Sequence, residues 1–122
     1  MEKTTGKCEW LFPDGYYPTV TRGDVYVSHE AICILNTGDE AAEIEITLFF
    51  EDSGKMSGFK ATCGAERTNH IRLDKLLSID NQPVPRGVPY ALLVTSTVPV
   101  IAQYSRMDTS QSEMALMTLL GY

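Results

Sequence analysis

The chain has 122 residues, the length of one small domain, and 43% of them are hydrophobic, an ordinary balance for a globular protein. A net charge of -6 opposes general binding to nucleic-acid phosphates. Three cysteines without a Cys-x-x-Cys pair argue against a disulfide framework and against a zinc site. Because the chain has neither a signal peptide nor an apolar run of about 18 residues, we expect a soluble, cytoplasmic, single domain over residues 1–122.

The first third of the chain predicts strands separated by turn residues. A short aromatic strand is predicted over 8–12, a chain break at Pro13-Asp14-Gly15 and a loop over 16–24. A short strand near 25–27 follows. The segment 31–35 is almost entirely apolar, which predicts a strand buried on both faces.

A hairpin is predicted next. Asn36-Thr37-Gly38-Asp39 has the residues of a turn. From Glu43 to Leu48 polar and apolar residues alternate, which predicts a half-buried strand with one wet face. The turn would join this strand to the one before it.

The middle of the chain continues the pattern of short strands. A turn is predicted over 51–55, strands over 59–63 and 68–73, a short helical turn over 74–79 and a proline-rich loop over 81–89.

The last third predicts two more strands and an ambiguous end. Strands are predicted over 90–95 and 98–104, joined through Pro99 at a bulge or an edge position. Residues 110–122 fit a helical stripe, and 115–122 fit a last strand equally well. Many short strands between Gly and Pro turns predict an all-β fold, an antiparallel β-sandwich of the jelly-roll type.

Several motifs, taken in order, are those of a known family. They are Ser28-His29-Glu30, Ile32-Cys33-Ile34-Leu35-Asn36-x-Gly38-Asp39-Glu40, Ile44-Glu45-Ile46-Thr47, Arg67-Thr68-x-His70-x-Arg72, Pro99-Val100-x-x-Gln103-x-x-Arg106-x-Asp108 and Gln111-x-Glu113-x-Ala115-Leu116. Together they resemble the Anabaena sensory rhodopsin transducer family from about Trp10 to Tyr122. The resemblance implies a small soluble β-sandwich that forms a homotetramer in the cytoplasm. It also implies docking on a microbial rhodopsin or another membrane receptor, and binding of a small, sugar-related molecule.

His29 leads the first group of polar candidates. Neighbours on a strand point to opposite faces, so His29 and Glu30 cannot both face one site, and a simple His-Glu dyad is disfavoured. A histidine suits polar recognition because it donates and accepts hydrogen bonds and titrates near neutral pH. The alternative is a strand-end histidine satisfied by a backbone carbonyl.

Two further groups follow along the chain. His70 and Arg72 share a face if Arg67 to Arg72 is a strand, and guanidinium groups bind anions or hydroxyls through a planar fork of donors. The alternative is an ordinary solvated face. Gln103 precedes Arg106 and Asp108, which also share a face if extended, and the alternative for these two is a mutual salt bridge.

These groups lead to a binding module that is not an enzyme and needs no metal or cofactor. The ligand-site candidates are His29, Asn36, His70, Arg72, Gln103, Arg106 and Asp108. The expected partners are further copies of the chain, a small sugar-like or anionic ligand, and a microbial rhodopsin or other membrane receptor. The alternative function is a small sugar-processing enzyme that uses His29 or His70 as a general base.

Overall fold

The described residues form seven antiparallel strands, which confirms the all-β prediction. The computed structural model describes residues 5–16, 29–108 and 115–120, with the side chains of 5–16 and 30–106. The strands are β1 (Lys7–Tyr16), β2 (His29–Asn36), β3 (Ala42–Phe50), β4 (Met56–Cys63), β5 (Arg67–Arg72), β6 (Pro89–Asp108) and β7 (Ala115–Leu120), and a 3-10 turn spans Leu73–Lys75. In these ranges no helix is both long and apolar enough to cross a membrane.

Strand β6 organises the sheet because it is 20 residues long and pairs with four other strands. Its first part pairs with β1 and β3, and β3 pairs with β4. Its second part pairs with β2 and β7, and β2 pairs with β5. We call β4-β3-β6-β1 the first half-sheet and β5-β2-β6-β7 the second half-sheet.

One hydrophobic core joins the two half-sheets. In β3 the side chains of Ile44, Ile46 and Leu48 are buried while the residues between them are exposed or half-buried, which confirms the predicted alternation. Phe59 of β4 and Ile32 of β2 belong to the same core. The core therefore draws on both half-sheets, as expected when β6 is common to both.

The predicted hairpin between β2 and β3 is wrong. Among the described strands, β2 pairs with β5 and β6, whereas β3 pairs with β4 and β6. The turn after Asn36 carries the chain from one half-sheet to the other. The chain does turn after Asn36, as the residues predict, but local turn chemistry does not fix which strands become neighbours.

Two predicted interruptions lie inside strands. β1 continues through Pro13-Asp14-Gly15, and the chain accommodates them by a shift of register between Phe12 and Gly15. The strands predicted on either side of Pro99 form the single strand β6, and the register against β1 shifts there, from Thr95 opposite Glu9 to Val100 opposite Lys7. The predicted bulge at Pro99 therefore lies where β6 changes partners.

The remaining predictions concern the burial of β2, the turn after β5, the C-terminal segment and the segment 25–27. β2 is buried along the whole of one face, which includes Ile32 and Ile34, whereas its other face changes from buried Ala31 to Leu35, which is 45% exposed. The helical turn predicted over 74–79 is the short 3-10 turn that begins at Leu73. The ambiguous C-terminal segment forms strand β7 over 115–120. The strand predicted near 25–27 lies outside the described residues.

Candidate functional site

The outer face of the second half-sheet brings part of the predicted site together. In register, His70 of β5 lies opposite Cys33 of β2, and Cys33 lies opposite Gln103 of β6. His70 and Gln103 are therefore on one face, about 10 Å apart, since neighbouring strands are about 4.8 Å apart. Their side chains are exposed and half-buried, respectively. His70 and Gln103 therefore flank Cys33 in one row across three strands, and all three side chains are at least partly exposed.

Arg72 lies on the same face, in the next row. It is opposite Ala31, which in turn is opposite Ser105. Its guanidinium makes a bidentate ion pair with Asp74, with Nε–Oδ1 and Nη2–Oδ2 distances of 2.8 and 2.7 Å. The ion pair holds the guanidinium at the edge of the face, where 35% of the Arg72 side chain is exposed.

Asn36 is placed differently, because it is buried and bonded to the backbone. Its amide nitrogen donates to the carbonyl oxygens of Glu40, Cys63 and Gly64 at 2.8, 3.2 and 3.1 Å. Its amide oxygen accepts a hydrogen bond of 3.0 Å from the Gly38 N–H. Asn36 thus fastens the turn between the half-sheets to the end of β4.

The remaining candidates lie toward the other end of β2. Arg106 is directly opposite Glu30, on the face that turns toward the core, and is half-buried. His29 is opposite Met107, and Asp108 is opposite Ala115. The side chains of His29 and Asp108 lie outside the described residues, as does the predicted Arg106–Asp108 salt bridge. The candidates are therefore divided between two faces of the second half-sheet.

A buried polar cluster surrounds Glu30, a residue outside the predicted ligand site whose side chain is fully buried. The Tyr90 hydroxyl donates a hydrogen bond to Glu30 Oε2. The Tyr16 N–H donates to Oε1 at 2.7 Å. The carboxyl group therefore joins β2 both to β6 and to the end of β1.

The position of Tyr16 depends on the irregular part of β1. Between Phe12 and Gly15 the register of β1 shifts against β6, and Gly15 then lies opposite Tyr90. A Cβ atom on Gly15 would lie 2.5 Å from Cε1 of Tyr90, so a larger residue would displace the Tyr90 ring. The bulge and the glycine together allow the Tyr16 N–H to reach Glu30.

Burial determines the electrostatics of this cluster. It raises the pKa of the Glu30 carboxyl above its ordinary value, and the nearby tyrosines and the Arg106 charge offset only part of the increase. Burial and the neighbouring Glu30 also raise the pKa of Tyr90 and of Tyr104, so both phenols stay protonated. The Tyr104 hydroxyl is buried beside Glu30, and within the described part of the chain it makes no hydrogen bond of regular geometry.

A signal for the cluster exists in the sequence. Glu30 is in phase with Ile32 and Ile34, and residues two apart on a strand share a face. The apolar face of β2 therefore includes Glu30 rather than His29. The tyrosine partners come from strands that are distant in sequence, and nothing local identifies them.

The match to a family model extends over nearly the whole chain. The model of the Anabaena sensory rhodopsin transducer matches residues 5–122. This protein belongs to the Anabaena sensory rhodopsin transducer family. Membership confirms the resemblance that the sequence motifs indicated.

Solved structures support the same membership. The crystal structure of Thermotoga maritima 1070 is 44% identical, covers 96% of this chain and 94% of its own, and superposes with a TM-score of 0.83. The Anabaena sensory rhodopsin transducer is 35% identical, covers 90% of this chain and 96% of its own, and has a TM-score of 0.75. No curated protein sequence matches this transducer-family chain significantly. The likeness thus extends over almost the full length of both solved relatives.

Proposed function

We propose that this transducer-family protein is a cytoplasmic signalling module that acts by binding rather than by catalysis. The observation that carries the proposal is the family match over residues 5–122, together with the likeness to the Anabaena sensory rhodopsin transducer. Its signalling partner is a sensory rhodopsin or another membrane receptor. The module is a β-sandwich in which the two half-sheets form the layers, and it assembles as a homotetramer.

The ligand of the module is a small polar molecule, sugar-like or anionic, that binds to the outer face of the second half-sheet. His70 and Gln103 supply hydrogen-bond donors and acceptors on that face, and Arg72 supplies a cationic fork at its edge. His29 and Asp108, near one end of the same half-sheet, remain candidates for contact. Asn36 and Arg106 support the site from the buried side.

Ligand binding affects signalling only if it favours one state of the module. A ligand that binds two states equally well shifts nothing, however tightly it binds. We therefore expect the ligand to change the affinity for the membrane partner or the proportion of tetramer. Either change is measurable with the purified protein.

A thermal-shift screen of sugars and sugar acids tests the small-ligand part. A ligand that binds only the native state raises the melting temperature by mass action. The increase should be lost in the double variant His70→Ala/Gln103→Ala and kept in Lys60→Ala, an exposed residue of the first half-sheet. An unchanged increase in the double variant, or no increase with any compound, would contradict the proposed ligand face.

The partner and the enzyme alternative need separate measurements. Binding to a sensory rhodopsin in lipid nanodiscs, measured by surface plasmon resonance, tests the signalling role directly. Each compound that raises the melting temperature should be recovered unchanged after incubation with the protein. Conversion of such a compound, lost in His70→Ala, would instead establish the sugar-processing enzyme.

A further inference from the structure

Two neighbouring clefts lie at one end of the first half-sheet. They have volumes of about 330 and 360 Å³ and share Phe50, Glu51 and Pro89. We call the combined surface the acidic groove. Each cleft alone is at the lower end of the range of ligand sites, about 300–1,000 Å³, and the two together offer room for a short chain segment.

The floor of the groove is apolar and well fixed. The Phe50 ring packs edge-on against the Tyr90 ring, with centroids 6.2 Å apart. Tyr90 is itself held by its hydrogen bond to Glu30. Met56 and Val88 add apolar surface, and Val88 is 40% exposed. A preformed apolar floor reduces the ordering that binding requires.

The charged residues that line the groove, among those the structure describes, are all acidic. Glu51 and Asp52 border the first cleft, Glu51 and Asp14 border the second, and all three are exposed. Among the described residues no lysine or arginine lines either cleft. Lys55 and Arg86 are adjacent in sequence to lining residues, and Arg86 is engaged in an interaction of its own. The groove therefore complements a cation that has apolar neighbours.

We propose that the acidic groove docks a segment of a partner protein in which a lysine or arginine stands next to an aliphatic or aromatic side chain. The proposal rests on the signalling role above, to which it adds a surface for the protein partner. The carboxylates would pair with the cation, and Phe50, Met56 and Val88 would contact its apolar neighbours. The groove is distinct from the outer face that carries His70 and Gln103.

Other occupants fit less well. Anionic lipid headgroups and nucleic-acid phosphates are repelled by the carboxylates. A free small amine would depend on exposed ion pairs, which contribute little by themselves. A polypeptide segment presents the cation and several apolar groups at once, and so uses the charged border and the apolar floor together.

The test uses a random peptide-display library selected on the full-length protein. Selected peptides should share a lysine or arginine beside an aliphatic or aromatic residue. They should lose at least tenfold in affinity for Glu51→Lys/Asp52→Lys. They should keep their affinity for Asp39→Lys/Glu40→Lys, a matched exposed pair in the turn after β2 with the same change of net charge.

An uncharged variant and the mapping of amide resonances test the same groove without a change of charge. Val88→Ser, at a partly exposed position, should also weaken the selected peptides. Their addition should shift amide resonances of Phe50, Asp52 and Val88 in the labelled protein. Recovery of no binder, selection of peptides without a basic residue, or equal losses in the two charge variants would overturn the proposal.

A small free amine tests whether the groove requires a peptide or accepts any organic cation. Phenethylammonium should not shift the same resonances at the concentrations at which the peptides saturate them. If it does, the groove is a site for small amines and the proposed partner segment is wrong. The thermal-shift experiment on His70 and Gln103 is independent of this result, so each proposal fails by its own measurement.

Discussion

The two half-sheets build their core faces from different chemistry. In the first half-sheet, side chains such as Phe12, Ile46 and Phe59 turn an apolar face inward. The second half-sheet buries Glu30 and Asn36 together with its aliphatic residues. An apolar face tolerates exchange among residues of similar volume, whereas buried polar groups require specific partners. We therefore expect the core face of the second half-sheet to tolerate fewer substitutions than that of the first.

The largest expected effect is the loss of a buried ring from the first half-sheet. Phe59 is fully buried, and Phe59→Ala should lower the free energy of unfolding by about 3–5 kcal/mol, measured by urea denaturation. Phe49→Ala is the matched control, because Phe49 lies on the adjacent strand β3 and is 40% exposed. Equal losses in the two variants would contradict a core centred on the inner face.

The second largest expected effect is the loss of the buried hydrogen bonds of Asn36. Asn36→Ala removes the partners of three backbone carbonyl groups and one N–H, and should lower the free energy of unfolding by about 2–4 kcal/mol. Asn69→Ala removes one hydrogen bond, to the Thr62 carbonyl, and should cost about 1 kcal/mol. If Asn36→Ala left stability unchanged and abolished ligand binding, Asn36 would act by direct contact instead.

The two tyrosines of the Glu30 cluster give a sharper comparison. Tyr90→Phe removes a hydrogen bond to a buried carboxyl group and should cost about 1.5–3 kcal/mol of unfolding free energy. Tyr104→Phe removes a buried hydroxyl that lies near Glu30 but makes no hydrogen bond of regular geometry in the described part of the chain, and should change stability by less than about 1 kcal/mol. Equal costs for the two variants would mean that the Tyr104 hydroxyl has a partner.

The smallest expected effect is a dependence of stability on pH. Because the pKa of Glu30 is raised in the folded state, the folded protein holds the proton more tightly than the unfolded chain does. This contribution to stability is fully present below the ordinary pKa of 4.5 and is lost as pH rises through the folded pKa. One proton changes the free energy of unfolding by at most about 1.4 kcal/mol per pH unit.

Glu30→Gln tests this dependence, because glutamine keeps an acceptor for the Tyr16 N–H but does not titrate. Denaturation of both proteins from pH 4 upward should give a difference curve, wild type minus variant, that falls as pH rises. A flat difference curve would show that Glu30 titrates at its ordinary value in the folded protein.

The sequence predicts the buried residues of the first half-sheet better than those of the second. The alternation in β3 identified its buried face correctly, because one side chain in two meets the core. In the second half-sheet the sequence motifs identify polar residues, but proximity in the chain does not show which of them meet across strands. The partners of Glu30 in the cluster are Tyr16, Tyr90 and Tyr104, which lie 14, 60 and 74 positions away in the chain, so pairing between distant strands creates the cluster.

The same limit explains the error at β2 and β3. The turn signal after Asn36 is local, whereas β2 and β3 both pair with β6, which begins 53 residues after the end of β2 and 39 residues after the end of β3. The sequence also does not predict the full length of β6, because Pro99 suggests that the strand is interrupted. Its missing N–H is tolerated where pairing with β3 has ended at Ser96 and pairing with β2 has not yet begun at Ile101.

The late position of β6 has a consequence for synthesis on the ribosome. Before residues 89–108 emerge, β3 can pair with β4 and β2 can pair with β5, but β1 has no described strand to pair with. Contacts between residues far apart in sequence are slow to form, since the loop between them must close first. The nascent chain can therefore form at most two of the described strand pairings before β6 emerges, and we expect folding to be completed as a single late event.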